Sequence, residues 1–151
     1  MKKILLLCCC LAALNTARAQ DHGFGAGIMV GGPTGISMKL WQSHTAAIDG
    51  AVAWSFGKGS ALQVNADYIA HSFDVIKVEK GSLPLYYGIG ARVKAGNDAT
   101  LGVRIPLGLD YLFEHDPLDA FFEIAPILEL APTTTFDLDG AVGVRFFFGQ
   151  M

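Results

Sequence analysis

Cysteine is missing from all but the first residues of this 151-residue chain. Cys8, Cys9 and Cys10 stand side by side, and none follows. Beyond them a disulfide scaffold, a thiolate metal site and a cysteine nucleophile are excluded. Long apolar runs are missing too. The hydrophobic fraction is 52% and the mean hydropathy is +0.39, yet no stretch of about 18 uncharged apolar residues supplies a transmembrane helix. Apolar residues in that number either build an ordinary core or face lipid from alternating strands. A basic balance is also lacking. Lys and Arg number 11 against 14 Asp and Glu, which argues against nucleic acid as a partner.

What the chain does have begins with a leader. Lys2 and Lys3 form a basic start, Ile4 to Leu14 is apolar but too short to span a bilayer, and Ala17-Arg18-Ala19 has the small-x-small pattern of a cleavage site. Residues 1–19 are therefore expected to be a signal peptide, cut before Gln20, with residues 20–151 as one domain. The three cysteines leave with it. A lipid anchor on them is the alternative, but Leu5-Leu6-Leu7 lacks the small residue that precedes a lipidated cysteine. Cleavage also removes Lys2, Lys3 and Arg18, leaving eight basic residues and a net charge of −6.

Turn residues punctuate the remainder. Gly31-Gly32-Pro33-Thr34-Gly35, Gln42-Ser43-His44, Gly57-Lys58-Gly59-Ser60, Gly96-Asn97-Asp98, Glu114-His115-Asp116-Pro117 and Ala131-Pro132-Thr133-Thr134 bound segments of strand length. A looser stretch runs from Asp74 to Ser82. Between the turns the period is 2, not 3.6. Leu101, Val103, Ile105, Leu107, Leu109, Tyr111 and Phe113 oppose Gly102, Arg104, Pro106, Gly108, Asp110 and Leu112. Ala46–Phe56, Leu83–Lys94 and Phe136–Phe148 separate in the same way. The expected fold is all-β: a closed antiparallel up-and-down barrel of about eight strands.

Alternation alone leaves open which face looks inward. Three features point to an inverted, transmembrane arrangement. The polar face is mostly Gly, Ala and Ser, which suits the narrow interior of an eight-stranded barrel. Its charges are of mixed sign, as buried charges must be to pair: Lys39, Asp49, Asp67, Arg92, Lys94, Arg104, Asp110, Glu123, Asp137, Asp139 and Arg145. These form a predicted lumen network, a plug that holds the register rather than an open ion path. The outward aromatics gather near strand ends. With the N-terminus periplasmic, Trp54, Phe56 and Phe136 fall near one rim, and Tyr68, Tyr87, Tyr111, Phe113, Phe146 and Phe148 near the other, as two aromatic girdles would. Two features fit this scheme less simply. Pro106 and Pro126 sit inside strand segments and call for bulges, and the longest connection falls on the periplasmic side, so part of Asp74 to Val78 is expected to extend a strand.

The leader, the eight alternating segments and the terminal Gly143-Val144-Arg145-Phe146-Phe147-Phe148 run resemble the small outer-membrane barrels of the OmpA-type superfamily. Leu85-Tyr86-Tyr87-Gly88-Ile89-Gly90 and Phe122-Glu123-Ile124-Ala125-Pro126 are similar to segments of short barrels of unassigned function. The resemblance implies the outer membrane of a Gram-negative-type bacterium, lipid as surroundings, and an assembly machinery that recognises a closing strand ending in Phe148. About activity the resemblance implies little; the expectation is a monomer with a structural or surface-interaction role, not an enzyme, with no metal and no cofactor.

Other motifs weigh little beside this pattern. Gly23-Phe24-Gly25-Ala26-Gly27 resembles a phosphate loop but opens no helix, and Asp137-Leu138-Asp139-Gly140 lacks the remaining ligands of a calcium loop. The histidines show no paired ligand spacing. Two alternatives from other classes stand beside the structural role. One is a soluble periplasmic, lipocalin-like barrel binding a small apolar ligand inside, with the faces reversed. The other is a lipid-modifying enzyme, for which His71 with Ser72 is the candidate pair, since some eight-stranded barrels use a rim histidine and serine.

Overall fold

The computed structural model describes residues 23–55 and 61–148. The predicted leader with its cysteines, Phe56, the Gly57–Ser60 turn and residues 149–151 lie outside the described residues. Among the described residues nine strands follow one another: β1 (Phe24–Gly32), β2 (Thr34–Trp41), β3 (Ala46–Ser55), β4 (Ala61–Ser72), β5 (Leu85–Ala95), β6 (Thr100–Arg104), β7 (Leu107–Leu112), β8 (Leu118–Ala131) and β9 (Thr135–Phe148). No helix among the described residues is long and apolar enough to cross a membrane.

The pairing is antiparallel throughout and ring-like. Each strand from β1 to β5 pairs with the next, β9 pairs back onto β1, and β8 pairs with β9. Both β6 and β7 pair with β5 on one side and β8 on the other. They share one place in the ring, so the nine strands occupy eight positions. Leu101–Phe113, expected as one strand, is split at Ile105-Pro106.

The bulges expected at the two prolines are not what the structure contains. Gly90 faces Arg104 and Leu85 faces Leu109, while Arg104 faces Ile127 and Leu107 faces Ile124, so both registers run unbroken past Pro106. Each proline carbonyl still accepts a ladder bond, Pro106 from Gly88 N–H and Pro126 from Ile105 N–H, both at 3.0 Å. Only the donors are missing, and a chain can forgo two donors without shifting register. The register shift that does occur lies between Leu101 and Gly102. Asp74 to Val78 does not extend a strand; the segment between β4 and β5 stays a connection. Its end is tied to β7 by paired backbone bonds between Ser82 and Leu112.

Which face looks where is plain from exposure. Ile28 is 68% exposed, Leu138 60% and Ile89 60%, while Arg145 is 0%, Lys39 1% and Arg92 1%. Apolar side chains line the outside and charged ones fill the inside. Leu101, Ile105 and Leu107 are exposed, so the reversed faces that an apolar-lined, lipocalin-like interior requires are not found. Glycines make the inner packing possible at close approaches. A Cβ on Gly90 would strike the Asp67 carboxylate, and one on Gly27 would strike the backbone at Val144 and Arg145.

Candidate functional site in the lumen

The inward side chains of alternating residues meet across the ring in three successive layers. Each layer is built around one arginine. Five Lys and Arg face eight Asp and Glu in the salt bridges that cross the lumen. With carboxylates in excess, each arginine must serve more than one of them, and the fork of its guanidinium suits that task.

The first layer lies toward the end that holds Phe24 and Phe148. Arg145 of β9 donates from Nε to Asp119 of β8 at 2.9 and 3.1 Å, and from Nη1 to Asp49 of β3 at 2.9 Å. Its Nη2 is 3.6 Å from Asp110 of β7, and the Phe121 ring lies 4.2 Å from the guanidinium carbon. Lys39 of β2 is ion-paired with Asp110, lies 3.8 Å from Asp119 and sits 4.2 Å from the centre of the Trp41 ring. It also donates to His71 Nε2 at 2.8 Å. An ammonium has no lone pair to offer, so Nε2 is the acceptor and Nδ1 carries the hydrogen toward the Thr45 carbonyl at 3.2 Å. His71 is thus a structural link in the plug. Its ring lies tilted against Trp41 at 4.3 Å, and its Nε2 is 3.5 Å from Asp110. Its hydrogen-bond partners are Lys39 and the Thr45 carbonyl.

The second layer centres on Arg104 of β6. It pairs with Asp67 of β4 at 3.0 Å and with Glu123 of β8, whose other oxygen accepts from the Tyr86 hydroxyl at 2.8 Å. Asp49 and Asp67 stand directly opposite on neighbouring strands, a like-charge pairing that by itself destabilises a sheet. The two carboxylates part company vertically, one to Arg145 and one to Arg104, and that division offsets the repulsion. A cavity of about 20 Å³ remains among Ser37, Asp49, Asn65, Asp67 and Arg104, space for about one water molecule.

The third layer lies toward the opposite rim. Arg92 of β5 reaches Glu129 at 2.5 Å, Asp137 at 2.9 Å and Asp139 at 3.1 Å. Gln63 donates to Asp139 at 2.9 Å, and Lys94 lies 3.4 Å from Asp137. Asp137 is the wettest member, with a side chain 41% exposed. Among the described residues no group of three or more His, Cys, Asp and Glu is arranged to hold a metal ion.

All eleven residues expected inside are therefore brought together. Asp119, Glu129, Ser37 and Gln63 complete the layers and were not among them. The first two were findable, since stepping by two from Glu123 along β8 reaches Asp119 in one direction and Glu129 in the other. The aromatic residues divide by rim. Trp54 and Phe136 lie outward near one end. Tyr87, Tyr111, Phe113, Phe146 and Phe148 lie near the other, with Tyr68 four residues inside the end of β4. There Phe146 packs edge-on to Phe148 at 5.1 Å, Tyr111 to Phe113 at 4.8 Å, and Phe24 stacks on Phe148 at 6.5 Å.

No protein-family model matches the chain, and no curated protein matches it significantly. Among solved structures, the N-terminal β-barrel domain of Pseudomonas aeruginosa OprF is similar, with a TM-score of 0.60 at 13% sequence identity, over 85% of this chain and 98% of that domain. At that identity the likeness is one of fold, that of a β-barrel domain.

Proposed function

We propose that the chain is a closed, transmembrane outer-membrane β-barrel with a side-chain-filled lumen and a structural or surface-interaction role without catalysis. The inversion of the wall carries this proposal: apolar residues outside, ionisable residues inside. In water that arrangement exposes a continuous apolar surface far beyond what soluble proteins tolerate. In lipid it is the expected one. Closure has the same origin, since hydrocarbon offers no partner for an unpaired strand edge. The strands suit the task. β9 has 14 residues, about 46 Å by strand rise, enough to cross a tilted path through a hydrocarbon layer of about 30 Å.

The three layers act as a plug. Each joins strands across the ring and so holds the register that keeps the apolar residues outward. Phe148, exposed at the end of β9, is the element through which the assembly machinery engages the chain. Deleting it is expected to lower the amount of folded barrel in the outer membrane without changing synthesis, checked by quantifying the folded form in membranes. The plug reading also assigns His71 and Ser72 no chemistry.

Refolding tests the proposal. Chain diluted from urea should fold in the presence of lipid vesicles or detergent micelles and aggregate without them. Full β-structure and a soluble monomer in plain buffer would overturn it.

A further inference from the structure

A histidine that accepts a hydrogen bond from an ammonium does so only while it is neutral. His71 Nε2 lies 2.8 Å from Lys39 Nζ and accepts from it. The same nitrogen is 3.5 Å from Asp110 Oδ2, the oxygen that Lys39 also holds. One carboxylate oxygen therefore stands within reach of two groups, of which only Lys39 carries a charge. A proton on Nε2 removes its lone pair and sets an imidazolium against an ammonium, and the two repel at that distance. They then compete for Asp110.

Every element packed against His71 contributes to the outcome. β2 brings Lys39 and Trp41, β7 brings Asp110, and the connection between β2 and β3 brings the Thr45 carbonyl, which accepts from Nδ1. β5 brings the Tyr86 ring at 5.6 Å, and Phe73, just past β4, lies at 6.4 Å. Within β4 itself, Asp67 is taken by Arg104. One step further out, Asp119 of β8 lies 3.8 Å from Lys39, while Arg145 of β9 holds both Asp119 and Asp49 of β3. Two cations thus meet three carboxylates, so the layer can balance one more positive charge. It also has idle hydrogen-bonding capacity. Asp110 Oδ1 and Arg145 Nη2 are 3.6 Å apart, and neither has a hydrogen-bond partner among the described residues.

We propose that His71 is a proton-binding switch in the first layer: on protonation it takes Asp110 from Lys39, and Lys39 passes to Asp119. One proton enters at Nε2 from the rim where β4 ends at Ser72, and no covalent bond changes. The inference rests on the packing of the lumen and not on what the outer wall faces. Trp41 reports the change, because its ring lies 4.3 Å from that of His71 and an imidazolium quenches indole emission. Trp54 is the other tryptophan, so the full chain carrying Trp54→Phe isolates the signal. Its emission should fall by about half between about pH 8 and about pH 4. His71→Gln, which still offers Lys39 an acceptor, should remove that fall, and circular dichroism verifies β-structure at each pH. Nitrogen NMR of the wild type follows the His71 ring and the Lys39 ammonium together, and both should change at one pH. A His71 ring that stays neutral at about pH 4 overturns the switch, as does an equal fall of emission in folded His71→Gln. A protonated ring beside an unchanged Lys39 signal overturns the exchange of partners.

Discussion

Arg104 shows how much a single residue carries in this molecule. Its guanidinium is buried and joins Asp67 to Glu123 across the ring. Arg104→Ala leaves two buried carboxylates without their cation, a change expected to cost about 3–5 kcal/mol. The check is the urea midpoint of the barrel in detergent, and an unchanged midpoint would contradict the plug. Lys77→Ala is the matched control, because its pair with Asp74 is almost wholly exposed and should not move the midpoint. A second residue-scale test concerns close approach. Gly27→Val drives a side chain into the backbone of β9, and the folded fraction on refolding should fall sharply, whereas Gly32→Val, where a Cβ meets nothing, should be tolerated. At this scale most charged residues of the lumen are legible because they share the parity of their strand's small residues, as Arg104 does with Gly102 and Asp110 with Gly108. The partnership of Lys39 with His71 is not, because strand parity says which face a residue takes and nothing about which distant strand it will meet.

Each strand is a ruler with two sides, and its outward side gives the sharpest test of surroundings. Val142 lies in the interior of β9, outward and 47% exposed, whereas Phe136 lies near the strand end. In a bilayer, Val142→Arg is expected to cost about 2–4 kcal/mol and Phe136→Arg about 0–1 kcal/mol. In water neither should cost much, since both side chains already face solvent there. Equal, small effects in vesicle-reconstituted protein would count against lipid contact. Strand boundaries were readable wherever Gly, Pro, Asn and Asp cluster. Two features were not. The continuity of register past Pro106 and Pro126 depends on which neighbour each missing donor would have faced. The fate of Asp74 to Ser82 depends on the pairing of Ser82 with Leu112, a contact between residues 30 positions apart in sequence.

For the whole molecule, alternation, turn spacing and the closing aromatic strand point to a ring of about eight strands. The ring-like pairing and the likeness to the OprF barrel domain agree with that at the level of fold. Activity was far less legible, because an interior filled by salt bridges is a means of holding register and names no ligand. The central claim is that the wall faces lipid. Its most direct test is to fractionate cells expressing the full chain and compare gel mobility of unboiled and boiled samples. A protein in the outer-membrane fraction, migrating differently before and after boiling, is the predicted result. A soluble periplasmic protein with one mobility would contradict it.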